Sequence, residues 1–192
     1  AGMDLKNGKV DAVVVDDQVA KDLVAEIDGL TILPEKLTEE QYAIAVKKGD
    51  KELLDSINAA IKKMQEDGTI DTIRKAYIDK DEAALAELAA KATPTGGKKL
   101  VMGTNAEFAP FEYMDDNNEI AGYDIEIAKE IARQSGMELS IENMNFDGLI
   151  AALSSGKVDM VIAGMTVDDE RKQQVDFSEN YYDAAQVIIV RK

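Results

Sequence analysis

Two residues of opposite charge stand where an α/β protein keeps its chemistry. Asp16 closes the apolar run Ala12-Val-Val-Val15, and Arg171 follows the stretch Ala163-Gly-Met-Thr166 by five residues. In open α/β sheets, ligands bind beyond the carboxyl ends of the strands. One strand end therefore offers an anion, and the other a cation beside exposed backbone amides. An arginine fork matches a carboxylate bidentately, and an aspartate accepts hydrogen bonds from an ammonium, so the two chemistries together would clamp a zwitterion. Each residue also has a plainer use. Asp16 can cap a helix starting at Asp17, and Arg171, within VDDERKQQ, can sit on a solvated helical turn.

Both strand ends belong to a repeat. NGKVDAVVVDD (Asn7 to Asp17) and SGKVDMVIAGM (Ser155 to Met165) share Gly-Lys-Val-Asp-x-Val. Each copy lies between an amphipathic helix, GMDLKN or LIAALSS, and a β-branched strand, so glycine turns the chain and aspartate starts the strand. A common αβ turn would produce the same four letters.

Composition narrows what such a site could serve. The chain has 192 residues, 45% of them hydrophobic, enough for one large or two small domains with a real core. Twenty-two Lys and Arg face 38 Asp and Glu, a formal charge of -16 that repels a phosphate backbone and argues against nucleic acid as a partner. Cysteine and histidine are absent, which removes disulfides, thiolate chemistry, the usual zinc ligands and any histidine base. No metal or cofactor is expected. No apolar run is long enough to span a bilayer, and no signal peptide opens the chain.

The elements that must position these residues alternate between helix and strand periods. A helix over Met3 to Gly8 precedes the strand at 12–15. Apolar residues at 19, 20, 23, 24 and 27 predict a second helix, followed by separate strands at Leu30 to Leu33 and Tyr42 to Val46. Lys51 to Gln65 places Leu53, Leu54, Ile57, Ile61 and Met64 on one helix face; Gly68 closes that helix and Thr69 caps the next. EAALAELAAKA with TPTGG reads as a helical spacer and break, a linker over 79–98, although Leu85 and Leu88 would also suit a packed helix. Beyond Lys99 come a strand, a hairpin turning at DDNN, a helix over Tyr123 to Ser135, a strand over Glu138 to Glu142, a helix over Phe146 to Ser155, and strands over Val158 to Ala163 and in AAQVIIVRK. The class is α/β, with mainly parallel sheet flanked by helices.

GTNAEFAPFEY, GYDIEIAKEIA, NFDGLIAALSSGKVDMVIAGMT and ERKQQVDFSENYY follow one another over Lys99 to Lys192 in a way that resembles the polar amino-acid-binding proteins of ABC transporters, the type II periplasmic solute-binding proteins. DLKNGKVDAVVVDD and TEEQYAIAVKKGDKELLDSINAAIKKMQEDGTIDTIRKAYI resemble the same family over Met3 to Ile78. The order differs: the piece that opens the family's chain lies second here. The resemblance implies a circular permutation joined through 79–98 and lacking the first part of lobe two. It divides the chain into a partial second lobe (1–40), the C-terminal segment of lobe one (41–78), the linker (79–98) and the N-terminal segment of lobe one ending at a hinge strand (99–192). It also assigns roles. Arg171 binds the ligand's α-carboxylate with Thr166 and the Gly164 backbone, Asp16 binds the ammonium, Phe108 and Phe146 sandwich the side chain, and Asn105 adds a polar contact. Core packing is the other use for the two phenylalanines.

Three functional readings follow. The first is a binding protein for a free L-amino acid, polar or basic, held in a cleft between lobes and delivered to a transporter permease, with a periplasmic or extracellular location, lipid-anchored in Gram-positive relatives. The second is a permuted or truncated scaffold, engineered or one part of a split or domain-swapped pair, that binds weakly or not at all and associates with itself or a complementing fragment. The third, an enzyme, ranks last, because no glycine-rich phosphate loop, metal cluster or nucleophile elbow occurs.

Overall fold

The computed structural model describes all 192 residues. In chain order the elements are α1 (Gly2–Lys6), β1 (Val13–Asp16), α2 (Asp17–Glu26), β2 (Leu30–Lys47), α3 (Lys51–Glu66), α4 (Thr69–Tyr77), α5 (Glu82–Ala89) and β3 (Lys99–Thr104). There follow β4 (Glu107–Phe108), β5 (Glu112–Met114), β6 (Ile120–Ala121), α6 (Tyr123–Ser135) and β7 (Glu138–Asn143). A 3₁₀ turn (Phe146–Gly148) leads into α7 (Leu149–Ser155), and the chain ends through β8 (Met160–Val161), α8 (Arg171–Gln174) and β9 (Val175–Arg191). The chain divides into two compact units, one of Ala1–Tyr42 with Tyr182–Lys192 and one of Ala43–Tyr181. Both connections between them fall inside strands, β2 and β9.

In the larger unit the strand order is β2-β8-β3-β7. β3 runs parallel to β7 and β8, whereas β8 runs antiparallel to β2. The sheet is mixed: two of its three pairings are parallel, and β2 returns against the direction set by β3. Side chains alternate across it. Ala45, Val161 and Ala163 pack with Leu149, Leu153 and Val158 around α7, and Gly103 sits where any Cβ would meet Leu149 at 3.2 Å. Ile44, Val46, Leu100, Met102 and Met160, one step out of phase, are buried on the opposite face. A small antiparallel sheet, β4-β5-β6, adds a third strand to the expected hairpin.

The smaller unit orders its strands β1-β9-β2, with Val13 opposite Ile189 and Asp16 opposite Gln186. Leu5, Ala20, Leu30, Val187 and Ile189 form its core, joined by Val13, Val15, Leu23 and Ile27. Arg191 closes the turn after α1 by donating to the carbonyls of Leu5 (2.8 Å) and Val10 (2.6 Å) and to Asp11 (3.0 Å).

Several elements differ from the sequence expectation. The strands expected at 30–33 and 42–46 are one strand, because Gln186 N–H reaches Thr38 and Gln41 reaches Asp183 across the polar stretch between them. An exposed two-stranded ribbon needs no apolar alternation, so nothing in that stretch marks it as strand. β9 begins at Val175, well before the apolar run AAQVIIVRK. Strand β8 keeps only two residues of the six expected. Thr69 does not cap α4: Gly68 holds the cap position in a left-handed conformation, and Asp67 accepts the Thr69 N–H. The segment 79–98 contains α5, whose Leu88 is buried while Leu85 stays exposed, and Arg133 binds the carbonyls of Lys91 and Ala92 beyond it.

The repeat is a turn. After α1, Gly8 donates to Leu5 O (3.1 Å) and Lys9 to Asp4 O (2.9 Å); after α7, Gly156 donates to Leu153 O (3.1 Å) and Lys157 to Ala152 O (2.9 Å). Both glycines have φ near the left-handed value, 74° and 76°. This pair of bonds is the Schellman closure of a helix. The end of α6 makes it too, through Gly136 and Met137, without the Lys-Val-Asp letters. A second glycine constraint acts at the start of α6. A Cβ on Gly122 would lie 2.1 Å from the carbonyl oxygen of Phe111, so only glycine lets the helix meet residues 110–112. Gly156→Ala is expected to cost about 1 kcal/mol. Gly122→Ala is expected to cost at least about 2 kcal/mol, both read from urea unfolding.

Candidate functional site

In the larger unit, the chain leaves β8 through Ala163, Gly164, Met165 and Thr166 and reaches the short helix α8, which begins with Arg171. The arginine is gripped from its own loop. Nη1 donates to the Thr166 carbonyl at 2.7 Å, and Nε lies 3.4 Å from an Asp168 carboxylate oxygen. Asp168 also accepts the Arg171 N–H at 2.8 Å. The guanidinium stacks over the Phe146 ring, 5.4 Å from its centroid, a contact worth ~0.5–2 kcal/mol. Its side chain is 25% exposed. No protein group hydrogen-bonds Nη2, which leaves one edge of the fork open to an anion.

Arg171 and Phe146 line a shallow depression of ≈ 240 Å³ with Asp147, Ile150, Asp168 and Glu170 among its walls. Phe146 also packs against the core around α7, the plainer of the two uses foreseen for it. Its ring is placed by the 3₁₀ turn that Asn145 starts, where the Asn145 side chain accepts the Asp147 N–H at 3.0 Å. Phe108 lies at the end of β4 and stacks on the buried Phe111, centroids 5.4 Å apart. Asn105 follows β3 directly; its carbonyl takes the Glu107 N–H at 2.7 Å. Gly164 departs from its expected role. Its N–H points inward and donates to Asp124 at 2.7 Å, so it is not available to a ligand.

Asp16, in the smaller unit, stands at the junction of β1 and α2. Although it occupies the cap position, its side chain makes no capping bond. It takes a hydrogen bond from the Gln186 amide instead. The carboxyl is buried, and desolvation, with repulsion from Glu40 and Asp17, lifts it from the usual 3.8 to about 6 despite the Gln186 bond.

Two partners of the site escaped the sequence reading. Asp168 was legible as an i, i+3 neighbour of Arg171. Asp124 was not, because an acid in the first turn of an amphipathic helix ordinarily faces water.

The geometry is thus that of a partly exposed arginine held by backbone, carboxylate and aromatic ring beyond the carboxyl end of a strand in an α/β unit. The chain belongs to the bacterial extracellular solute-binding proteins, family 3, which it matches over residues 3–80 and 100–192. It is 49% identical over 98 residues to the arginine-binding extracellular protein ArtP of Bacillus subtilis, covering 51% of this chain and 38% of that protein. It is 40% identical over 98 residues to the ABC transporter arginine-binding protein 1 of Escherichia coli, covering 51% and 40%. A probable histidine-binding protein of Neisseria gonorrhoeae is 36% identical over 96 residues, covering 50% and 36%. The chain thus spans well under half the length of these relatives. Among solved structures, the arginine-bound form of domain 1 from TmArgBP shares 44% identity over 49% of this chain and 80% of that chain, with a TM-score of 0.42.

The raised Asp16 carboxyl has a signed consequence. A carboxyl that holds its proton more tightly folded than unfolded adds stability that is complete below pH 3.8 and lost as the pH rises through about 6. Asp16→Asn should therefore gain about 2–3 kcal/mol on the wild type between pH 4 and pH 7. Urea unfolding across that range checks it, and parallel profiles would refute it.

Proposed function

We propose that this chain binds a free L-amino acid, polar or basic, by holding its α-carboxylate on Arg171. The observation that carries the reading is the open Nη2 edge of an arginine held in place by a bond from Nη1 to Thr166 O, the Asp168 carboxylate beside Nε and the Phe146 ring. A guanidinium fixed in this way loses little side-chain entropy on binding, and its open Nη2 edge can donate a charge-assisted hydrogen bond to a carboxylate. Family membership supports a solute as the partner, and the relatives named for arginine and histidine support a basic amino acid among solutes. Three acids near the guanidinium, Asp147, Asp168 and Glu170, favour a ligand that also carries positive charge.

In this reading Thr166 adds a polar contact beside Arg171, Phe146 and Phe108 offer aromatic surface to the ligand side chain, and Asn105 supplies an amide. Gly164 is left out of the donor set, since its N–H is committed to Asp124. The segment order we read as a circular permutation of the family's chain, joined through 79–98. An ABC importer permease is the partner this assigns, and the outside of the cell membrane the location; none of the helices is long and apolar enough to cross a membrane.

Calorimetric titration with L-arginine, L-lysine, L-histidine and L-glutamine tests the proposal. Saturable binding to at least one is expected, weakened about 100-fold by Arg171→Ala. Agmatine, which keeps the guanidinium of arginine but lacks the carboxylate, should bind as poorly to the wild type. Equal affinity for agmatine, or no heat with any of the four from a cooperatively folded sample, would overturn it.

A further inference from the structure

Behind the Arg171 loop lies a cluster that the binding reading leaves unused. Asp124 is 0% exposed and Glu112 1% exposed, and Tyr181 packs with them. One oxygen of Asp124, Oδ2, accepts from the Gly164 N–H at 2.7 Å and from the Tyr181 hydroxyl at 2.9 Å. The Tyr123 hydroxyl donates to the Tyr181 carbonyl at 3.3 Å. Asp124 is itself held by its own N–H, which reaches the Phe111 carbonyl at 2.9 Å, across the close approach that Gly122 permits.

The remaining oxygens, Asp124 Oδ1 and Glu112 Oε2, are both buried without a conventional donor. Two ionised carboxylates could not stay so, since like charges in a dry site cannot both persist. A single proton resolves both. Burial and the Asp124 charge push Glu112 up to about 12, so Glu112 keeps its proton and donates it to Asp124. Burial raises Asp124 too, but the bonds from Glu112, Gly164 and Tyr181 all favour its ionised form. Its position in the first turn of α6 favours the same form. The pair therefore carries one charge, wholly spent on donors from β5, β9 and the loop after β8.

That loop is the one that grips Arg171. Gly164 is two residues from Thr166, whose carbonyl takes Nη1 at 2.7 Å, and between them the Met165 carbonyl is pinned by the Ala43 N–H at 3.2 Å. We infer that Glu112 and Asp124 are positioning residues for the carboxylate site: they fix the Gly164 peptide and, through it, the Thr166 carbonyl that aims Arg171. The inference rests on the amino-acid-binding reading for its consequence, but its geometry exists without ligand.

The test is an NMR and titration series on the whole chain. In the ligand-free wild type the Gly164 amide proton should resonate far downfield, as a short bond to an ionised acceptor requires. In Asp124→Asn it should move upfield by about 1 ppm, the Arg171 Nε–H resonance should shift with it, and the affinity for L-arginine should fall at least ten-fold. Glu112→Leu, which removes the donor, should do the same. Glu112→Gln, whose amide can donate to Asp124, should restore both resonances and bring the affinity to within about three-fold of wild type. Folded variants in which Gly164 moves but Arg171 and the affinity do not would overturn the inference, as would Glu112→Gln behaving like Glu112→Leu. Should Asp124→Asn not fold, the two Glu112 variants decide alone. If the wild type binds no L-arginine, the binding reading fails for that ligand, and the coupled shift of Gly164 and Arg171 still settles the positioning role.

Discussion

A carboxylate sealed from water is the constraint around which the larger unit is arranged. An ionised Asp124 with no solvent contact would cost several kcal/mol if its acceptor sites were empty. They are filled from three directions: Glu112 on β5, Tyr181 on β9 and Gly164 beyond β8. None of these elements is adjacent to α6 in sequence except through the small sheet. The charge thus ties together parts of the unit that apolar packing alone would join less specifically, and it does so beside the loop that carries Arg171.

The arginine shows the same economy at the surface. Its loop commits Nη1 to a carbonyl, Nε to Asp168 and one ring face to Phe146, and leaves the rest to solvent or solute. An isolated surface ion pair of this kind contributes little to stability, because water competes for both partners. The arrangement makes more sense as orientation than as stabilisation. The strong negative charge of the chain, -16, adds a field that favours a cationic solute and disfavours an anionic one.

The smaller unit keeps its own buried acid, Asp16, under different terms. It has one amide partner and two acidic neighbours, so burial dominates and its carboxyl is easily protonated. A group left in that state weakens the fold at neutral pH, and a cation brought to it would relieve the cost.

What the sequence alone determined were the local matters: helices α3, α6 and α7, the Gly-Lys-Val-Asp turns, the α/β class, the family, and Arg171 and Asp16 as strand-end charges. These follow from periodicity, from glycine at left-handed positions and from motifs contiguous in the chain. The tertiary structure decided the rest. That 30–47 and 175–191 are single long strands depended on each pairing with the other, which a polar stretch does not announce. That the Gly164 N–H turns inward depended on Asp124, 40 positions away, and that the Glu112 carboxyl is pushed up depended on burial beside that same aspartate in a dry interior. Periodicity reports which face of an element is buried, but a buried charge is legible only when its partners from distant segments are known, because those partners determine whether it can exist there at all.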